Sequence, residues 1–443
     1  MQLKSHLRIL IIFVLTLPLA FQAEGQWWKL TEEAEKARSK GMLLLTAEVQ
    51  IEATTAINQM YNYHFPEAER EFNYLKVKYP NHPLPDFLLG LMQWWKIVPN
   101  TGNEVYDERL IEYMDSSINK AEKIWDETEN PEAAFFMAAA YGFKGRLHAE
   151  RKNWTRATLA AKNALKYLEY SRNFADFSPE LMFGDGLYNY YYHFIKQNFP
   201  LLRPVLWLFP KANKMQGVAQ LEKVSYQAFY TRTEARYFLL QIYAMENMTD
   251  KSYDLAKYTH ENYPDNPFFH RYHARAAFLV GRTDEAMEQS KEILNRIAQH
   301  QVGYEAVSGR YASYILGYCQ LYIYKNRPEA KQYFQQCMEF SKQTDSFESG
   351  YYWASVLGLA RISFQENDYD KTVDYCKEVL DKAEKKSTQH VEAKKLLAEA
   401  KRLGAKGNKD LQRKFVPLIR HGNERSINQK ILSGNYGTAS STI

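Results

Sequence analysis

The sequence predicts an all-α fold, a solenoid of about seven helix pairs, and three observations carry that expectation. A two-helix pattern is written twice, 34 residues apart, between Thr233 and Ile297. Its first copy has Leu239, Leu240 and Tyr243 on one helix, Ser252 and Ala256 on the next, and Pro264 as the stop. Its second copy has His273, Ala274 and Ala277, then Ala286 and Ser290. The second observation is that small residues oppose one another where paired helices must approach closely. Ala138, Ala139, Gly142 and Gly145 face Ala157, Ala161 and Ala164. The third is the tyrosine content, 33 of 443 residues, much of it at helical spacing. Such rings bury their faces between helices while the hydroxyl reaches water or a carbonyl.

Taken in order, residues 1–25 read as a signal peptide. Lys4 and Arg8 precede an apolar run, Ile9 to Leu17, broken by Pro18, and Ala23-Glu24-Gly25 supplies a small-x-small cleavage site. The run falls short of the ~20 residues a spanning helix needs. Cleavage after Gly25 is the expectation, with an uncleaved anchor as the alternative. No cysteine follows the run to take a lipid. The chain is therefore expected to be exported, and periplasmic or envelope-associated in a bacterial host.

Residues 26–230 read as irregular helical repeats. A short helix over Trp27 to Lys40 precedes a pair, Glu48 to Tyr61 and Glu67 to Lys78, with Pro66 in the first turn of its second member, where proline is tolerated. Helices follow over Asp86 to Ile97, Val105 to Trp125, Pro131 to Glu150 and Trp154 to Tyr170. Asn153-Trp154-Thr155 and Asn247-Met248-Thr249 are glycosylation sequons in a eukaryotic host, and serve equally as turn and cap residues. Pro179 to Gln197 is apolar over most of its circumference, so it is buried or meets a second surface. The segment 199–210 has three prolines and one charge, too broken for a helix and too apolar for a solvated loop. It either plugs the solenoid or offers a membrane or partner patch through Leu201, Leu202, Val205, Leu206, Trp207, Leu208 and Phe209.

Residues 231–403 carry the regular repeats. Beyond the central pair come Tyr311 to Lys325 with Pro328 to Ser341, then Trp353 to Gln365 with Tyr369 to Glu384. His390 to Leu403 is a polar helix of the kind that closes a solenoid. The tail 404–443, with seven basic residues against Asp410 and Glu424, reads as disordered. It accounts for a charge equal to the formal net +5 of the whole chain. A near-neutral body with a basic tail is not a nucleic-acid-binding profile.

The 34-residue period and the small/large offsets resemble the tetratricopeptide repeat, which implies a right-handed superhelix and a non-enzymatic protein-binding scaffold. Further groups extend the likeness: Gly184-Asp185-Gly186-Leu187-Tyr188, Phe199-Pro200, Trp207-Leu208-Phe209-Pro210, Gly217 with Leu221-Glu222, Glu234-Ala235, Ile242-Tyr243 and Tyr263-Pro264-Asp265-Asn266-Pro267. Over about residues 180–300 the chain is similar to exported bacterial repeat proteins and, loosely, to mitochondrial outer-membrane repeat proteins of inclusion clearance. The glycine-rich acidic turn of that pattern is replaced here by Lys211-Ala212-Asn213-Lys214, so no ligand is carried over from it.

Catalytic signatures are lacking: there is no phosphate-binding glycine loop, nucleophile elbow, paired metal motif or cofactor motif. His270 and His273 share a helix face but fall at core positions of the repeat, so no metal is assigned to them. Glu366, Asp368 and Asp370 lie at an inter-helix turn and read as caps. Cys319, Cys337 and Cys376 read as small buried thiols, with a Cys319 to Cys337 bridge as the alternative. In this repeat the first helix of each pair lines a concave groove. The expected partner-binding positions there are Tyr237, Gln241, Arg271, Arg275, Tyr322 and Arg361. Aromatic and arginine side chains are the usual binding anchors, and an extended or acidic protein segment suits them. They serve equally as solvated residues or as pairs with neighbouring helices.

Overall fold

The structure, a computed structural model, describes residues 47–172, 179–198, 203, 210–347 and 350–406. The expected signal peptide, the helix over Trp27 to Lys40, nearly all of the apolar segment and the basic tail lie outside the described residues. Seventeen helices and no strand occur among the described residues. They are α1 (Ala47–Tyr61), α2 (Phe65–Lys78), α3 (Pro83–Ile97), α4 (Asp107–Thr128), α5 (Pro131–Glu150), α6 (Trp154–Arg172), α7 (Pro179–Asn198), α8 (Lys214–Gln227), α9 (Arg232–Met245), α10 (Thr249–Asn262), α11 (Pro267–Leu279), α12 (Thr283–Ala298), α13 (Ala306–Tyr322), α14 (Arg327–Gln343), α15 (Tyr351–Gln365), α16 (Tyr369–Lys382) and α17 (Thr388–Lys406). They form two compact units, one up to Leu239 and one from Leu240.

Six hairpin turns share one backbone solution. A single left-handed residue follows the first helix of each of the six: Tyr63, Lys152, Asn247, Gly281, Lys325 and Asn367, with φ between 56° and 82°. In five of them the next amide reaches back five residues, as His64 N to Gln59 O, Asn153 N to His148 O, Met248 N to Tyr243 O, Arg282 N to Ala277 O and Asp368 N to Ser363 O. This is the Schellman closure, which satisfies the last carbonyls of a helix and turns the chain sharply into the next. Asparagine then starts several helices. Asn266 Oδ1 accepts from the amides of Phe268 and Phe269, at 3.0 and 3.2 Å, and Asn130 Oδ1 from Glu132 N at 2.9 Å. Asp368 does the same for Lys371 N, the capping role expected of that turn.

In the first unit α3 is buried along almost its whole length, with Trp94 and Trp95 fully so. Its neighbours α4, α5 and α6 pack each on the next. The expected Ala/Gly contact is present at Gly145, where a Cβ would lie 3.5 Å from the Ala157 carbonyl oxygen and from Ala160 Cβ, but not at Gly142, which is exposed with nothing within 4 Å. Two glycines named for the family likeness also mark a close approach. A Cβ on Gly217 of α8 would sit 2.6 Å from Tyr190 N of α7, and 2.9 Å from the Gly186 carbonyl oxygen.

In the second unit each helix packs on the next, and α11, α13, α15 and α17 also touch in series. That alternation makes a row of first helices, closed by α17 and flanked by α10, α12, α14 and α16. The repeat positions behave as their sizes require: Ala256, Ala277, Ala286, Ser290, Ala330 and Thr372 are fully buried. Phe334 of α14 wedges between α13 and α15 against two glycines. A Cβ at Gly317 or Gly358 would meet its ring at 2.8 or 2.5 Å. All three cysteines are free thiols buried in this packing, with no Cys319–Cys337 bridge.

Candidate functional site

The first-helix row of the second unit has a charge pattern of its own. α11, α13 and α15 contain Arg271, Arg275, Arg310 and Arg361 and not one aspartate or glutamate. The flanking α10, α12, α14 and α16 carry two to four acidic residues each. Carboxylates are thus confined to the second helices of these hairpins, which also carry lysine and, at Arg296 and Arg327, arginine, whereas the first helices carry arginine with no carboxylate.

Those guanidinium groups do not project into an open groove. Arg271 and Arg275 are only 7% and 4% exposed, and Tyr237 and Gln241 are buried as well. The expectation that these four face outward is corrected. The guanidinium is flat and weakly hydrated, so it stacks on aromatic faces instead of reaching for water. Arg271 lies 5.5 Å from the Phe268 ring centre and 5.2 Å from that of Tyr311, and its Nη1 donates to Ser308 Oγ at 3.4 Å. Arg275 stacks on Tyr272 at 5.8 Å, and Arg310 on Tyr311 and Tyr351 at 5.4 and 5.9 Å. Nε and Nη1 of Arg310 are buried without a hydrogen-bond partner. The partly open residues of the row include five rings, Tyr272 on α11, Tyr311, Tyr318 and Tyr322 on α13 and Phe364 on α15, together with Arg361 and the apolar Leu279, Ala306 and Val307. Tyrosines form the accessible stripe, with arginines beneath them.

Tyr322 and Arg361 do come together, at a small cavity beside α17. Arg361 is stacked on Tyr322 at 5.4 Å, donates from Nη1 to the Tyr322 hydroxyl, and forms an ion pair through Nη2 with Glu392. Burial disfavours the charge on Arg361, but Tyr322 and Glu392 outweigh it and hold the guanidinium pKa above its usual value. The cavity is lined by Tyr314, Tyr318 and Tyr322, by Phe334, Ala354 and Leu357, and by Arg361, Thr388, Gln389 and Glu392. Arg310, Tyr318 and Glu392 were missed by counting repeat positions. The absence of acid from the first helices was the available signal for Arg310, whereas Glu392 comes from a helix outside the repeat frame.

Tyr237 belongs to the first unit, in a sealed polar cluster. Glu234 is 3% exposed and accepts from Trp95 Nε1 at 2.6 Å and from the Tyr61 hydroxyl at 3.1 Å. Arg146 stacks on Trp94 at 4.5 Å and donates to the Tyr237 hydroxyl. Burial pushes the Glu234 carboxyl up to about 7, against the pull of Trp95, Arg146 and Tyr61. Its tight enclosure makes this a core network.

His270 and His273 join His260 of α10 in the second unit. The His260 and His270 rings stack at 4.2 Å and 13°, and His273 lies 5.3 Å from His260. His270 Nδ1 meets the Tyr304 hydroxyl at 3.0 Å, and His273 Nε2 meets Glu285 Oε1 at 2.9 Å. Stacked rings aim their nitrogens apart, and no group of three His, Cys, Asp or Glu among the described residues could hold a metal ion. The residues named as a membrane or partner patch, Leu201, Leu202, Val205, Leu206, Trp207, Leu208 and Phe209, lie outside the described residues. No helix among the described residues is long and apolar enough to cross a membrane.

No protein-family model matches the sequence, and no curated protein matches it. Among solved structures the chain is similar to the tetratricopeptide domain of P58(IPK), at 12% identity over 87% of this chain and 100% of that one. The TM-score is 0.25, a superposition too loose to add to what the hairpins themselves show. Their period, left-handed turns and small-residue contacts make the described chain an all-α, tetratricopeptide-type array of helix hairpins.

Proposed function

We propose that this chain is a non-enzymatic, exported scaffold that holds a protein partner along the first helices of its second unit. An acidic, extended stretch of that partner is the preferred ligand. One observation carries the reading: α11, α13 and α15 hold four arginines and no carboxylate, packed with and beneath a surface rich in tyrosine. Guanidinium groups packed beneath tyrosine rings add positive potential that an aspartate- or glutamate-rich segment offsets. Tyrosine rings supply rigid contact area and hydroxyl donors at low entropic cost. Export rests on the amino-terminal sequence pattern.

Selection from a random displayed-peptide library on the purified chain tests the proposal. The expected binders are net-negative and weaken as salt is raised. Enrichment of basic or charge-free sequences, or affinity indifferent to salt, contradicts it.

A further inference from the structure

The histidine rings between α10, α11 and α12 are not what the repeat needs for packing. His273 stands where the preceding copy has Leu239, which buries the same position without a polar atom. The His260 and His270 rings lie face to face at 4.2 Å, and His273 is 5.3 Å from His260. One nitrogen of each ring has a partner: the Tyr304 hydroxyl for His270 Nδ1, Glu285 for His273 Nε2, and Gln289 for His260. The other nitrogens, His260 Nδ1, His270 Nε2 and His273 Nδ1, are buried with no hydrogen-bond partner. In a neutral imidazole such a nitrogen is a bare lone pair. In a protonated ring it becomes a buried N–H with nothing to donate to.

The neighbouring charges do little to offset that cost. Burial, then His273 and Arg296, disfavour the charged form of His260; burial, then His260 and Arg296, disfavour that of His270. Arg296 of α12 is paired with Glu292 of its own helix and with Asp265 of the α10–α11 turn, and Asp265 also accepts from Gln301. On α11, Arg271 and Arg275 turn to Tyr311 and Tyr272. Arg310, the one charged residue of α13, turns to Tyr311 and Tyr351, and residues 240–245 of α9 carry no charge. Glu288 and Lys291 of α12 are exposed. Only at His273 does a carboxylate favour protonation: Glu285, which is shared with Tyr253 and Lys257 of α10 and with Arg282, and near which Glu261 also lies. The Glu285 side chain is 22% exposed, so protons enter at that edge.

We propose that α10, α11 and α12 form an acid-opened joint in the second unit, in which the ring stack parts as its histidines take up protons while α14 to α17 stay packed. Opening lets each ring carry its charge in water, and no closed arrangement of the stack accommodates two charged rings in contact. This device is independent of what the scaffold binds.

The test places a reporter thiol in the joint by Ser290→Cys. Ser290 is fully buried on α12 and its hydroxyl has no hydrogen-bond partner, so the exchange disturbs little. Cys337 of α14 and Cys376 of α16, both buried free thiols, are the internal references. Labelling of the full chain with dithiodipyridine is read cysteine by cysteine after acid quench and digestion, and corrected against an unfolded peptide. Each histidine that stays neutral when closed and titrates at its ordinary value when open raises the open fraction about tenfold between pH 7.5 and 5.5. His260 and His270 together therefore predict roughly hundredfold faster labelling of the reporter at the lower pH, with Cys337 and Cys376 unchanged. His260→Phe, which keeps an aromatic ring in the stack, should cut the acceleration to about tenfold. His273→Leu, the residue of the preceding copy, should also reduce it. A reporter rate indifferent to pH, or an acceleration that survives both substitutions in full, overturns the joint. Acceleration of Cys337 and Cys376 in step with the reporter also overturns it, because that is unfolding of the whole unit.

Discussion

Glu234 sits where water does not reach, and its protonation state is therefore a stability term. Its folded carboxyl titrates near 7, against the ordinary value of 4.5. Between those values the unfolded chain gives up the proton and the folded one keeps it. The stabilisation is fully present below about pH 4.5 and is lost as pH rises through 7, with a slope of up to about 1.4 kcal/mol per pH unit. Urea midpoints measured from pH 5 to 8 should fall with pH in the native chain and fall less in Glu234→Gln, which retains the shape without the ionisation. The histidines of the second unit work in the opposite direction. Burial and the neighbouring His273 and Arg296 lower His260 to about 3, and burial with the same crowding holds His270 well below 6.5. His273 is also lowered by burial, with Glu285 opposing. Stability from the neutral cluster is present above about pH 6.5 and lost as pH falls below it. Hydrogen exchange in α10 to α13 should therefore accelerate between pH 7.5 and 5.5, and His260→Phe should remove part of that acceleration. Exchange rates unchanged after correction for intrinsic chemistry would contradict the assignment. The Glu234 cluster was not legible in the sequence, since Glu234 meets partners 139 and 173 residues away and pattern counting along one helix cannot see across that distance, whereas of the histidine cluster the His270 and His273 pair was legible and His260 was not.

Among the secondary-structure elements, the helices and their pairing were readable because period, small-residue offsets and proline stops all point the same way. Pro264 ends one hairpin and Asn266-Pro267 starts the next, signals that need no tertiary information. The left-handed turn residues were less readable, since Gly281, Asn247 and Asn367 are residues that conformation favours but the other three turns use Tyr or Lys. Lys325 is held at φ 58°, a conformation costing a branched-Cβ-free side chain roughly 1 kcal/mol relative to glycine. Lys325→Gly is expected to raise the thermal midpoint, whereas Gly281→Val should lower it by a larger amount. A melting comparison reversing that order would show that the turns do not limit hairpin stability. Phe334 makes the sharper case. Its ring fills the space that glycine leaves on both α13 and α15, so Phe334→Ala should cost about 3–5 kcal/mol. Gly358→Ala should also destabilise, because the trapped ring has nowhere to move. A loss under 1 kcal/mol in Phe334→Ala, measured by denaturant unfolding, would indicate that the site collapses freely.

At the scale of the molecule, the first helices α11, α13 and α15 of the second unit carry arginine without a carboxylate, whereas their partners α10, α12, α14 and α16 carry both signs of charge. Repeat counting placed Arg271, Arg275 and Arg361 on the first helices. It could not show that their heads lie under the tyrosines of their own and neighbouring repeats, because ring stacking depends on rotamers and not on period. The surface a partner meets is consequently aromatic, with the positive charge one layer down. That arrangement suits an extended acidic ligand that contacts hydroxyls and rings directly and feels the guanidinium groups at short range through a dry layer. Photo-crosslinking of a selected acidic peptide, carrying a photoreactive residue and followed by peptide mapping, reads this most directly. Labelling should concentrate on Tyr311, Tyr318 and Tyr322 of α13 and on the Arg361 end of α15. Labelling confined to α12, α14 and α16, or to the first unit, would contradict the account.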